Sequence, residues 1–209
     1  MKRVDFFYDF SCPYAYLAHT QIEAVCTRAG ADLVWRPMLL GGVFQAVGTV
    51  QVPFAVMSTA KAQHNAFDMM RWADFFDVPL TIPPTHPNRT VLALRSMLAA
   101  GVATIPRVSK AFFNAYWVLG RDISQPDVVR DVLEHTGLDG AELVARAEDP
   151  EIKADLRART AEAVALGVFG APAFVVTAPG VPGDLFWGQD RLDFVEKALG
   201  GWSVKKGTT

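Results

Sequence analysis

Apolar and polar positions along this chain alternate between two rhythms. Residues 3–10 are short, aromatic and β-branched, the composition of a buried strand. Residues 13–29 then place Tyr16, Leu17, Ile22 and Val25 at helical spacing, and Gly30 ends the run. Asp32-Leu-Val-Trp-Arg36 reads as a second strand. From 43 to 165 there is almost no strand signal. The periodicity there predicts helices at about 58–76, 88–100, 105–118, 125–136, 140–147 and 150–166. Pro79, Pro83-Pro84, Pro87, Gly120 and Gly137 fall in the loops between them. Ala173-Phe-Val-Val-Thr177 reads as a strand, 185–188 as its hairpin partner after turn signals at 179–183, and 190–199 as a last helix. The polar tail 203–209 is expected to fray.

Strand–helix–strand, a helical insertion, then helix–hairpin–helix is the order of an α/β thioredoxin-like fold carrying an inserted all-helical domain; a generic doubly wound domain is the alternative. The expected boundaries are 1–45 with 150–209 for the discontinuous thioredoxin-like part and 46–149 for the insertion. The whole is 209 residues, enough to bury a core without covalent staples. The formal net charge of −2 and the lack of a basic stripe argue against nucleic acid or an anionic membrane as partner. No uncharged run approaches the length of a membrane span. Asp5 and Asp9 interrupt the first apolar stretch, so no signal peptide is read there. Cys12 and Cys26 lie on or beside one helix, more than three turns apart, and a bridge between them is excluded. Both are read as reduced, which suits the cytoplasm.

Cys12-Pro13-Tyr14-Ala15 concentrates the chemistry. Cys12 takes the cap position and Pro13 the first helical turn, where its missing N–H costs nothing. A thiol at a helix N-terminus is expected to titrate below its usual value of about 8.5, towards roughly 3.5–7.5. Alanine at position 15 precludes the local disulfide of a dithiol exchanger. Cys12 could instead be a small buried apolar residue, the role read for Cys26. The second motif is Phe169-Gly170-Ala171-Pro172-Ala173-Phe174. Proline directly before an apolar strand suits a cis bond, with Ala171 offering its N–H and C=O to a peptide-like ligand; the alternative is a trans proline entering an edge strand. His19, His86 and His135 do not cluster with each other or with Cys12 in any metal-ligand spacing, so no metal is expected.

Phe7-Tyr8-Asp9-Phe10-Ser11-Cys12-Pro13-Tyr14-Ala15-Tyr16-Leu17-Ala18 resembles the opening of the 2-hydroxychromene-2-carboxylate isomerases. These belong to the DsbA-like branch of thioredoxin folds, with the kappa-class glutathione transferases. Further resemblances follow in order: Arg36-Pro37 with Leu39-Leu40-Gly41-Gly42-Val43-Phe44, Phe113-Asn114-Ala115-Tyr116-Trp117 with Gly120-Arg121-Asp122-Ile123, Gly167 to Phe174, and Phe186-Trp187-Gly188-Gln189-Asp190-Arg191. They span nearly the whole chain. The resemblance implies glutathione as cofactor, a small aromatic carboxylate as substrate, a homodimer, and a place in aromatic hydrocarbon catabolism such as naphthalene degradation. Cys12 stands where the family has a serine touching the glutathione sulfur, and Ser11 could supply the hydroxyl. Cysteine donates a hydrogen bond only weakly, but can itself be the nucleophile or form a mixed disulfide. The alternative activity is thus a kappa-like transferase or a monothiol oxidoreductase using Cys12.

For cofactor binding the resemblance points to Lys61, Thr49 (near the position of a family asparagine), Ala171, Pro172, Gln189 and Asp190. Lys61 would meet a carboxylate and Asp190 the γ-glutamyl ammonium. Each has a plainer role open to it, a solvated helix lysine and a helix N-cap. Tyr14, His64, Tyr116 and Trp117 are assigned to the substrate pocket, His64 as an acid–base group or a surface histidine, and the Tyr116–Trp117 pair as an apolar wall or as core.

Overall fold

The computed structural model describes residues 1–204. Its centre is a four-stranded sheet in the order β2-β1-β3-β4, built from β1 (Arg3–Tyr8), β2 (Asp32–Pro37), β3 (Ala173–Ala178) and β4 (Val181–Trp187). β1 runs parallel to β2, joined by the helix α1 (Pro13–Ala29), and antiparallel to β3. The β3–β4 hairpin closes the sheet, with a register shift at Val176/Thr177. β4 is an edge strand, and so tolerates Pro182, which has no N–H for a ladder.

Pleating sends alternate residues of β1 to opposite faces. On one side Phe6 stacks with Tyr8 and Phe174, Trp35 meets Phe6 and Tyr8 edge-on, and Tyr8 reaches Phe113 of α5 (Ile105–Trp117). These rings are fully buried or nearly so, and each contributes about 1.5–3 kcal/mol by leaving water. The other face carries Asp5, which accepts from Arg36 at 2.6 Å, and Arg36 lies 3.6 Å from Glu162 of α8 (Pro150–Ala165).

Between β2 and α8 come α2 (Leu40–Val47), α3 (Thr59–Phe75), α4 (Val91–Ala99), α5, α6 (Pro126–His135) and α7 (Gly140–Arg146). No strand occurs in this stretch, as the periodicity predicts. α9 (Leu192–Leu199) ends the fold and packs against α1 and the hairpin. Two expectations change. The helix α2 was not anticipated, because Gly41-Gly42 discourages a helix. The glycines serve packing instead: a Cβ on Gly42 would sit 3.0 Å from Thr160 of α8. The second change is the hairpin's last strand, which begins at Val181 rather than 185. Of the expected frayed tail, residues 205–209 lie outside the described residues, while Ser203 donates to Asp184 at 3.0 Å. Among the described residues, no single helix is long and apolar enough to cross a membrane.

Candidate active site

The first helix begins just beyond the carboxyl end of β1, an inner strand, and Cys12 is its N-cap with an extended backbone (φ −93°, ψ 114°). Pro13 occupies the first turn. Across from it the Ala171–Pro172 bond is cis, as expected from the sequence. The Cys12 thiol donates to the Ala171 carbonyl at 3.1 Å, a contact between residues 159 apart in sequence. Glycine precedes this pair at 170, where a Cβ would meet the Trp187 indole nitrogen at 2.8 Å.

Burial reverses the expected titration of Cys12. Its residue is 7% exposed, and desolvation pushes the thiol up to about 12, against a smaller opposing pull from the Ala15 and Tyr14 amides. A helix start favours the thiolate only where water or a ligand can share its charge, and here the carbonyl of Ala171 asks for a proton instead. The residue at position 12 is therefore an S–H donor at neutral pH. Cys26 is buried as expected, and desolvation pushes it up to about 11.

Ser11 does not present a free hydroxyl. Its Oγ and its amide both donate to Asp9 Oδ1, at 3.1 and 3.0 Å. Asp9 is 1% exposed, and its other oxygen accepts from the Leu40 amide at 2.8 Å, with the Thr90 hydroxyl as a further donor. One buried carboxylate thus ties the β1–α1 turn to the starts of α2 and α4. The sequence reading passed over it. The available signal was an aspartate two residues before a serine at the end of an apolar strand, the spacing of a local side-chain turn.

Tyr14 is half-buried, and its hydroxyl is pushed up to about 12 by desolvation, with Asp68, Cys12 and Asp190 adding their negative charge. Asp190 itself is exposed, in a short 3-10 turn (Gln189–Arg191), and is engaged by the adjacent Arg191. It does not cap the last helix, whose N-cap position is Arg191. Gln189 is buried. Lys61 lies in the first turn of α3, a helix that packs on α1; its side chain is exposed and makes no ion pair among the described residues. Thr49 is exposed just after α2. His64 is exposed too, on a shallow depression of α3 beside Gln63, Phe67 and Arg71.

Tyr116 and Trp117 are core residues rather than an open wall, with 0% and 1% exposure. Trp117 donates its indole N–H to the Phe10 carbonyl at 2.8 Å, and so props the turn that carries Ser11 and Cys12. Tyr116 accepts from the Asn88 amide at 3.0 Å and meets His86 Nδ1 at 2.9 Å.

The family model of the DSBA-like thioredoxin domain matches residues 3–200. A protein of Sphingobium xenophagum named 2-hydroxychromene-2-carboxylate isomerase is 29% identical over 198 residues, covering 95% of this chain and 98% of its own. Glutathione S-transferase kappa 1 of Caenorhabditis elegans is 26% identical over 209 residues, covering 95% and 91%. A solved structure of a 2-hydroxychromene-2-carboxylate isomerase superimposes with a TM-score of 0.82 at 24% identity, over 95% of this chain and 94% of that one, which shows the shared fold.

Proposed function

The chain belongs to the DSBA-like thioredoxin family, and on that footing we propose that it is a glutathione-dependent isomerase. Its substrate would be 2-hydroxychromene-2-carboxylate or a related bicyclic intermediate of aromatic hydrocarbon breakdown, naphthalene's included, handled in the cytoplasm by a homodimer. The observation that carries this reading is the end-to-end similarity to proteins named for that reaction. The donor set fits glutathione, which has two carboxylates and an ammonium. Lys61 is an exposed cation without an ion-pair partner among the described residues, and Asp190 an exposed carboxylate. Lys61 would hold a carboxylate, with Thr49 beside it, and Asp190 with Gln189 the ammonium. The backbone of Ala171 and Pro172 would hold the peptide part.

When bound, glutathione supplies a thiolate able to add reversibly to a conjugated carbon and so free a double bond for rotation. The chain's own residues orient and protonate. With its proton held up to about 12, Cys12 can turn its S–H from the Ala171 carbonyl to a sulfur anion, the donor role of the family serine. Tyr14, protonated at neutral pH, offers a second donor in the same corner. Asp9 keeps Ser11 and the turn in place. The test is a Cys12→Ser variant assayed with and without glutathione. Activity that is kept and needs glutathione supports the donor role. Activity lost with serine, or independent of glutathione in the wild type, makes Cys12 the nucleophile.

A second reading rests on the kappa-class relatives, 24–26% identical. In a transferase or monothiol oxidoreductase Cys12 would form a mixed disulfide with glutathione. Mass spectrometry after exposure to oxidised glutathione distinguishes the two, since the adduct is expected only in the second.

A further inference from the structure

A cavity of about 470 Å³ opens between α2, α4 and α8, and none of Cys12, Tyr14, Ala171, Pro172 or Asp190 lines it. Its apolar lining is aliphatic throughout, Leu39, Leu156 and Val164 among it, with no aromatic ring. Three cations line the same cavity, Arg95, Lys153 and Arg157, and no acidic residue does. Glu148 meets Arg95 at 3.3 Å and Lys153 at 2.7 Å, and is itself largely exposed. Arg157 has no ion pair among the described residues, and the Nε of Arg95 is buried without a hydrogen-bond partner. The lining thus carries three cations against the one carboxylate of Glu148 outside it, an excess of positive charge that an anionic head group would balance.

We propose that this cavity binds a medium-chain alkyl carboxylate, its head at the cations and its chain on the aliphatic lining, at a site separate from the thiol corner and independent of the activity assigned to it. The volume lies in the range of small-molecule sites, and alkyl chains suit a lining without rings on which a flat ligand would stack.

The probe is decanoate, titrated calorimetrically into the full chain, with octanoate, decanol and inorganic phosphate beside it. One decanoate per chain is expected. Loss of two methylenes should weaken binding roughly tenfold, and decanol, without the charge, should bind at least tenfold more weakly. Arg157 and Ala161 are exposed residues of α8 that line the cavity, so Arg157→Glu and Ala161→Trp can be made without disturbing the core. Each should weaken decanoate at least tenfold while Cys12→Ser leaves it unchanged. Binding that ignores both α8 variants, or that falls in Cys12→Ser instead, overturns the site. So does phosphate binding as tightly as decanoate, or octanoate and decanol binding as well as decanoate.

Discussion

Removing the Asp9 carboxylate should loosen the fold at the point where the reactive turn is held. In Asp9→Ala the Leu40 amide and the Thr90 hydroxyl lose their acceptor in a buried setting, while Ser11, half-exposed, can turn to water. Each buried donor left unpaired costs about 1–3 kcal/mol, and release of the desolvated charge returns part of that. The net expectation is a loss of about 2–4 kcal/mol, which in a chain of this length lowers the melting temperature by roughly 4–16 °C. Thermal unfolding followed by circular dichroism reads it directly. The pH dependence provides a second check. Desolvation raises the Asp9 carboxyl above its ordinary value of 3.8, with the Leu40 and Ser11 amides and the Thr90 and Ser11 hydroxyls opposing. The folded chain therefore holds that proton more tightly than the unfolded one. The resulting stabilisation is complete below pH 3.8 and is lost as the pH rises through the higher folded-state value. Asp9→Asn, which cannot titrate, should lack that fall. A melting temperature for Asp9→Ala within a degree of wild type, or an unchanged pH slope in Asp9→Asn, would refute the assignment of Asp9 as the tie between the turn, α2 and α4.

Three further outcomes are expected. Alkylation of Cys12 by iodoacetamide should quicken about tenfold per pH unit from 7 to 10 without levelling, because the thiol titrates at about 12; a plateau below pH 8 would show an activated thiolate. His19, stacked on Phe113 at 4.5 Å, is pushed down to about 4 by desolvation, so its neutral form contributes stability above pH 6.5 that is lost as the pH falls towards 4. The loss is roughly 3 kcal/mol, and comparing wild type with His19→Gln across that window isolates it. Gly188 has φ +106°, and a Cβ there would stand 2.3 Å from Asp190 Oδ1. Gly188→Ala should therefore weaken glutathione about 5–20-fold in a calorimetric titration, matching Asp190→Asn, since one charge-assisted hydrogen bond is worth roughly 1–2 kcal/mol; unchanged affinity in both would remove Asp190 from the site.

How much of this was legible in the sequence differs by the range of the interaction. The strands and long helices were readable because each buries one face, and burial of a face writes a period into the chain. Cys12 at the helix start, Pro13 in the first turn and the cis bond before Ala173 were readable because local backbone demands select those residues. The helix after β2 was hidden, since one of its glycines, Gly42, answers to Thr160, more than a hundred residues away, and not to local propensity. The place of Tyr116 and Trp117 was hidden for the same reason. An aromatic pair on an amphipathic helix looks alike whether it faces a cleft or the core, and only the Phe10 carbonyl and the Asn88 amide decide it.

The thiol at position 12 shows that distinction most sharply. Its neighbours in sequence place it at the positive end of a helix, where an anion is favoured by about 0.3–1 kcal/mol. Its neighbours in space strip it of water and set an acceptor, the Ala171 carbonyl, 3.1 Å from its sulfur. Desolvating a charge costs several kcal/mol, so the spatial effect wins and the proton stays. An enzyme that must use its own thiolate would need the opposite balance, with an open helix start or a cation beside the sulfur. A corner that holds its own thiol protonated is suited to stabilising another molecule's sulfur anion, and this is the physical ground for preferring the isomerase reading to monothiol exchange.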